Sequence, residues 1–316
     1  MSVYTSVTES ELSDWLRNYS IGPLAGFEPI KAGIENTNYF VTTAQGRYVL
    51  TLFERLPADE LPFYLDLMAH LARHGIPCPA PIADLSDRYL QQLRGKPAAL
   101  VTRLPGKSIE RPSVADCGEL GRLLGRMHLA GRSYGAYLEN PRGPKWWRTA
   151  ARDLDRFLDK DKKALLKSEL AFQAEQRFPD LPRGPVHADL FRDNAVFEGG
   201  RISGVFDFYF AGVDCLMYDV AVCANDWCLA DPGSDAELDP ARTRALLEGC
   251  HAARPFDALE RAAWPALLRA AALRFWLSRL HDFHLPRAGM LVHAHDPEHF
   301  RRILESRIAG KAPWID

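Results

Sequence analysis

The stretch that decides the fold is VHADLFRDNAVF, residues 186–197, and FDFYFAG, residues 206–212, follows shortly after it. The first stretch places a histidine, two aspartates and an asparagine within eight residues, next to small and apolar ones. Polar side chains flanked by strand-forming residues are unfavourable to bury unless they have partners. The two stretches therefore indicate a site at which these polar groups carry chemistry.

The residues from Asn194 to Asp207 predict a hairpin. NAVFEGGRISGVFD contains two short apolar runs around Gly199 and Gly200, a pair that favours a tight turn. A turn centred there sets Asn194 opposite Phe206 and Asp207 diagonally beside it, within side-chain reach. Because Mg²⁺ prefers oxygen ligands and takes one or two carboxylates, we predict that Asn194 and Asp207 hold it.

Asp189 lies on the loop before this hairpin, five residues ahead of Asn194. It can reach the same place without binding the metal, so it is predicted to orient an attacking hydroxyl and accept its proton. The pattern His187, Asp189, Asn194 and then Asp207 matches the parts that phosphoryl transfer requires. Asp189 alone also fits a turn-capping role and Asn194 alone also fits a partner for backbone groups, whereas the full set favours a kinase. His187 and Asp219 are interpreted as structural, with Asp219 bonding to loop backbone.

Composition excludes several other classes of protein. The 316 residues carry a formal net charge of -2 without a basic block, which argues against a nucleic-acid partner. Neither a secretory signal nor an apolar run long enough to cross a membrane is present, so we expect no membrane association. The six cysteines form no CxxC pair and are interpreted as reduced thiols of a cytoplasmic protein.

The periodicity of apolar residues predicts two lobes. Residues 1–104 form an N-lobe with a nucleotide-binding sheet of about five strands and a helix, and residues 105–316 form a helical C-lobe with the catalytic loop and substrate site. Ser113 and Asp116 predict an N-terminal capping box for the first C-lobe helix. The predicted strands at the start are 24–31, 38–43 and 47–53, and the predicted C-lobe helices are 113–131, 145–158, 162–178, 216–230, 240–253, 257–284 and 297–308.

On these residues the sequence resembles the aminoglycoside phosphotransferase superfamily, relatives of the protein kinases. HADLFRDN and GVFDFYFAG carry this resemblance, and AGIENTNYFV, RYVLTLFE and LRFWLSRLHDFHLP are similar to the homoserine kinases of that fold. The likeness extends from about residue 32 to residue 284. It implies a two-lobe, protein-kinase-like α+β fold with a small antiparallel-sheet N-lobe and a mainly helical C-lobe. It also implies ATP and Mg²⁺ as cofactors and L-homoserine as substrate, in threonine biosynthesis.

Two positions depart from the kinase pattern. Thr51 stands where the third strand of a kinase offers a lysine to the phosphates, and Phe208 follows Asp207 in a segment without the usual glycine. We expect the phosphate clamp to come instead from the GIENTN loop, through backbone N–H groups and the side chains of Asn36 and Thr37. Adenine is expected between the lobes, against backbone near Thr102 and Leu104.

The sequence leaves the substrate contacts and the exact substrate open. A zwitterionic amino acid needs a cation for its carboxylate and an acceptor for its ammonium, and Arg192, Asp226, Arg274 and Arg279 are candidates. Phosphorylation of L-homoserine to O-phospho-L-homoserine is the predicted reaction. The alternatives are a kinase for choline, methylthioribose or an aminoglycoside, and a nucleotide-binding regulator without catalysis.

Overall fold

A computed structural model describes residues 4–30, 36–176, 178–231, 236–286, 296–310 and 312–315. The chain separates into two compact units at the bond between Pro105 and Gly106. No helix among these residues is long and apolar enough to cross a membrane.

The first unit is built on a five-stranded antiparallel sheet with strand order β1-β2-β3-β5-β4. In its second strand, buried residues such as Tyr39 and Val41 alternate with more exposed ones, because one face of that strand packs against the core. The predicted sheet of about five strands, with its three strands at the start of the chain, is thus confirmed. The strands are β1 (Leu24–Pro29), β2 (Thr37–Thr43), β3 (Gly46–Leu52), β4 (Leu90–Leu93) and β5 (Lys96–Thr102).

Among the described residues of this unit two helices accompany the sheet, whereas the sequence predicted one. The expected helix is α2 (Leu61–Arg73), which begins with a proline in its first turn and buries Tyr64 and Leu67. The helix that the sequence reading missed is α1 (Glu9–Leu16), which Thr8 and Glu11 cap reciprocally. Its Leu12 and Trp15 share an apolar core with β2 and β3. A helix of eight residues is marginally stable by itself, so this packing contributes the stability that its intrinsic helix propensity does not.

The second unit is mainly helical, as predicted, and its helix bounds lie within a few residues of the expected ones. Ser113 and Asp116 form the predicted capping box. The helices are α3 (Val114–Gly131), α4 (Pro144–Leu154), α5 (Lys160–Glu175), α6 (Leu216–Trp227), α7 (Pro240–Ala253), α8 (Ala258–His284) and α9 (Pro297–Ala309). All six cysteines of the chain are buried free thiols, which confirms that interpretation.

Two small antiparallel ribbons position the polar stretch within this unit. The predicted hairpin forms from β7 (Ala195–Glu198) and β8 (Arg201–Val205), with Gly199 and Gly200 both at positive φ in the turn. The second ribbon, β6 (Arg183–Val186) with β9 (Gly212–Cys215), was not predicted from the sequence. Since β6 leads into the loop and β9 follows the hairpin, the ribbon fixes both ends of the polar segment.

Candidate active site

The loop that carries Asp189 is shaped by one buried acid. Asp219, on α6, accepts hydrogen bonds from the backbone N–H of His187 at 2.9 Å and of Ala188 at 2.8 Å. Ala188 adopts φ of 61°, a left-handed conformation that is strained for a residue with a side chain. Asp219 therefore holds the turn that presents Asp189, which confirms its predicted structural role.

Asp219 has a third partner that the sequence did not reveal. Nε2 of His128, near the end of α3, lies 3.2 Å from its Oδ2, and both side chains are fully buried. Burial would raise the pKa of Asp219, but His128 and the loop N–H groups outweigh it and hold that pKa below its usual value. Burial lowers the pKa of His128 despite the neighbouring acid. We therefore assign a neutral imidazole that donates to an ionised carboxylate.

His187 also has a structural role, as expected. Its Nε2 lies 2.9 Å from the carbonyl oxygen of Phe206, and the backbone N–H of Asp189 donates to its Nδ1 at 3.3 Å. Burial lowers the pKa of His187, which suits a neutral ring that donates from Nε2. The ring thereby ties the loop before the hairpin to the segment that joins β8 to Asp207.

The Asp189 carboxylate is held from two directions. The amide Nδ2 of Asn194 donates to the Asp189 carbonyl oxygen at 2.8 Å and to its Oδ2 at 3.3 Å. The guanidinium of Arg274 lies 3.2 Å from Oδ1. The side chain of Asp189 is 17% exposed, so its orientation is fixed while it stays accessible to solvent. This is the arrangement that an acceptor for a substrate hydroxyl requires.

The hairpin brings Asn194 and Asp207 to one end, as the sequence predicted. The backbone N–H of Phe206 donates to the carbonyl oxygen of Asn194 at 3.0 Å, which places Asp207 next to that pair. The backbone of Asp207 adopts the left-handed conformation, with φ of 66° and ψ of 57°. Because the amide nitrogen of Asn194 is engaged by Asp189, its oxygen is the atom left to face a cation. One amide oxygen and one carboxylate fit Mg²⁺, which takes its remaining ligands from phosphates and water.

Two of the candidate substrate residues pair with each other. Arg192 donates its backbone N–H to Oδ2 of Asp226 at 2.9 Å, and its guanidinium lies 3.4 Å from Oδ1. Burial raises the pKa of Asp226 to about 6, and the nearby Arg192 limits the shift. This pair anchors the short turn that precedes β7, and its predicted contact with the substrate stays a prediction. Arg274 and Arg279, both on α8, remain candidates for contact with the substrate.

The residues predicted to contact the nucleotide lie in the first unit. The hydroxyl of Thr37 donates to Glu54 at 2.8 Å and accepts from the backbone N–H groups of Tyr4 and Thr5. Its predicted contact with phosphate stays a prediction. Asn36 is 8% exposed, and its Oδ1 has no hydrogen-bond partner among the residues that the structure describes. Residues 31–35 of the GIENTN loop region lie outside the described residues. The predicted contact of Asn36 with phosphate stays a prediction.

Three further positions of this unit were singled out by the sequence. Thr51 lies on β3, where a kinase lysine is expected, and its hydroxyl donates to Oδ1 of Asn38 at 2.8 Å. Thr102 ends β5, and its hydroxyl accepts from the backbone N–H of Ala80 at 2.9 Å. Leu104 is half-buried just beyond that strand. The part played by Thr102 and Leu104 in adenine binding stays a prediction.

The sequence of the chain matches that of known phosphotransferases. The profile of a phosphotransferase enzyme family matches residues 26–256. A homoserine kinase of Methylobacillus flagellatus is 48% identical over 320 aligned residues, covering 100% of this chain and 99% of the relative. A homoserine kinase of Paraburkholderia xenovorans is 50% identical, covering 99% of this chain and 97% of the relative.

Solved structures confirm the fold at much lower identity. An amicoumacin kinase in complex with AMP-PNP, Ca²⁺ and amicoumacin superimposes with a TM-score of 0.73 at 18% identity, covering 96% of this chain and 93% of the other. A spectinomycin phosphotransferase gives 0.66 at 14% identity, covering 96% of this chain and 99% of the other. Such similarity establishes the kinase-like α+β fold that the sequence predicted.

Proposed function

Because the chain belongs to the phosphotransferase enzyme family, with full-length relatives that are homoserine kinases, we propose that it transfers the γ-phosphoryl group of ATP to the hydroxyl of L-homoserine. The products are O-phospho-L-homoserine and ADP, in a step of threonine biosynthesis that we place in the cytoplasm. The observation that carries the proposal is the fixed Asp189 carboxylate on a loop matched to phosphoryl transfer.

Asp189 is the residue that acts on the substrate hydroxyl in this proposal. Its backbone carbonyl and carboxylate are both bonded by Asn194, and Arg274 contacts the other carboxylate oxygen. A carboxylate held in this way orients the hydroxyl and accepts its proton as the new bond to phosphorus forms. Positioned general bases of this kind contribute about 10²- to 10⁴-fold to the rate.

Asn194 and Asp207 hold Mg²⁺ in this proposal, through one amide oxygen and one carboxylate. Bound there, Mg²⁺ would supply positive charge to stabilise the negative charge of the ATP phosphates. Among the described residues no cluster of three or more His, Cys, Asp or Glu side chains could hold a metal by itself. A site that relies on substrate phosphates for further ligands is consistent with this sparse donor set.

The first unit is proposed to hold the nucleotide. Asn36 contributes to the phosphate site in this proposal by donating from its side-chain NH₂ group, which can hydrogen-bond to a phosphate oxygen. The backbone near Thr102 and Leu104 is proposed for adenine. Thr51 replaces the usual lysine, so the phosphates depend more on backbone N–H groups and on the metal than in protein kinases.

A substrate screen tests the proposal. ADP release is measured with L-homoserine, choline, methylthioribose and an aminoglycoside at one Mg²⁺–ATP concentration. We expect L-homoserine to give the highest kcat/KM. A higher value for another alcohol would overturn the substrate and retain the kinase, whereas ATP binding without turnover of any of them would favour a regulator.

A further inference from the structure

Arg274 is a buried cation in an otherwise apolar stretch of α8. Its side chain is 3% exposed, and its neighbours along the helix, Leu273 and Phe275, are buried as well. Removing a guanidinium from water is unfavourable unless charged or hydrogen-bonding partners replace the water. The groups that contact Arg274 therefore indicate its function.

The protein contacts of Arg274 use only part of its binding capacity. One terminal nitrogen reaches Asp189 at 3.2 Å, while Nε has no hydrogen-bond partner among the described residues. The guanidinium carbon lies 3.8 Å from the ring centre of Phe275 and 5.1 Å from that of Phe210. Rings on its flat faces and a carboxylate at one edge fix the plane of the group. A planar fork of this kind is suited to bind a second carboxylate.

Arg279, on the same helix, adds a second positive charge. Burial lowers the pKa of Arg279, and the positive charge of Arg274 lowers that pKa further. The negative charge of Asp189 raises it, more than any other neighbouring charge does. Asp282 and Asp193 also act on Arg279, more weakly than Asp189 does. Asp189 thus attracts both arginines, Arg274 by direct contact and Arg279 through its charge, and an anionic ligand beside Asp189 would reduce the repulsion between the two arginines.

We propose that Arg274 and Arg279 form the subsite that binds the substrate carboxylate and so place the substrate hydroxyl at Asp189. This inference rests on the proposed phosphorylation of homoserine. In an extended homoserine molecule the hydroxyl oxygen and the carboxylate carbon are about 5 Å apart, so one end lies at Asp189 while the other reaches the arginines. Arg192 is left out of this subsite because Asp226 already engages it.

The test compares L-homoserine with L-homoserine amide, which keeps the hydroxyl and the amine but has a neutral group in place of the carboxylate. Wild-type protein should prefer L-homoserine by roughly tenfold to a hundredfold in kcat/KM, because a charged group loses its partner in the amide complex. Arg274→Gln and Arg279→Gln should each reduce that preference about tenfold or more, chiefly through weaker homoserine binding.

The ratio of the two substrates separates carboxylate binding from a purely structural role. If Arg274 only positions Asp189, Arg274→Gln lowers kcat/KM for both substrates by the same factor, and that result would overturn the inference. Arg279 is half-buried, so Arg279→Gln keeps the test available if Arg274→Gln fails to fold. Arg261→Gln, at an exposed position of α8, is the matched control and should leave the ratio unchanged.

Failure of the proposed function gives a different result. If the wild-type protein phosphorylates neither compound, the homoserine assignment is wrong and the subsite falls with it. If it phosphorylates both equally well, the kinase assignment stands and the carboxylate subsite is refuted. Calorimetric titration of L-homoserine into wild type and Arg279→Gln measures the same interaction without turnover, and equal affinities would likewise refute it.

Discussion

Replacing Asp219 should disable the loop that presents Asp189. Its two oxygens receive three donors: Oδ1 accepts from Ala188, and Oδ2 accepts from His187 and His128. Asp219→Asn can keep the Oδ2 bonds by placing its oxygen there, but its NH₂ group then faces the N–H of Ala188. Asp219→Ala removes the acceptor for all three donors. The two variants therefore form a graded series.

The magnitudes follow from the number of buried donors left without an acceptor. Each unsatisfied buried donor costs about 1–3 kcal/mol, so Asp219→Asn should lower the free energy of unfolding by that amount. Breaking a buried charged network costs about 3–5 kcal/mol, which we expect for Asp219→Ala. Ala188 would then relax from its left-handed conformation and displace Asp189. A displacement of about 1 Å at the catalytic group can lower turnover about 10²-fold.

Urea unfolding and kcat at saturating ATP and L-homoserine measure both effects. Turnover should fall in the order wild type, Asp219→Asn, Asp219→Ala, measured at a temperature where all three remain folded. Glu169→Gln is the matched control, because Glu169 is a fully buried acid that pairs with Arg269 on α8. It should lose stability and keep its turnover. If Asp219→Asn is destabilised but turns over like wild type, the loop geometry does not depend on this acid.

Three other perturbations test the same site. Asp189→Ala should lower kcat by about 10²- to 10⁴-fold, because the general base is lost, and leave ATP affinity unchanged in a nucleotide titration. Asp207→Asn should weaken the effect of Mg²⁺ on ATP affinity, since a metal ligand loses its charge, as titrations with and without Mg²⁺ would measure. Burial lowers the pKa of His128, so the unfolded chain takes up a proton first as pH falls below about 6.5. Stability then falls by about 1.4 kcal/mol per pH unit for this group, and His128→Gln should reduce the slope by that amount in urea unfolding between pH 5 and 6.5, leaving the contribution of the buried His187.

Each of these expectations has a contrary result. Turnover of Asp189→Ala within a few-fold of wild type would mean that another group accepts the proton. An unchanged Mg²⁺ effect in Asp207→Asn would make Asp207 a structural acid. A pH dependence in His128→Gln as steep as in wild type would show that His128 is not the group whose protonation destabilises the fold.

Local patterns in the sequence were sufficient for most elements of the fold. The helices of the second unit repeat apolar residues at helical spacing, and a capping box marks the start of α3. The Gly-Gly turn set the hairpin, so the proximity of Asn194 and Asp207 could be derived from short-range register alone. These features depend on residues close together in the chain, which is why they leave a readable signal.

Only the tertiary structure decided which distant residues meet. His128 contacts Asp219 across 91 residues of chain, and α1 becomes a helix by packing on a sheet that follows it. Arg274 reaches Asp189 from the far end of the second unit's sequence, while Arg192 turns to Asp226. As an arginine beside the catalytic loop, Arg192 was as good a candidate in sequence as Arg274. Burial and the choice of ion-pair partner depend on how the helices pack, and side-chain periodicity does not encode that packing.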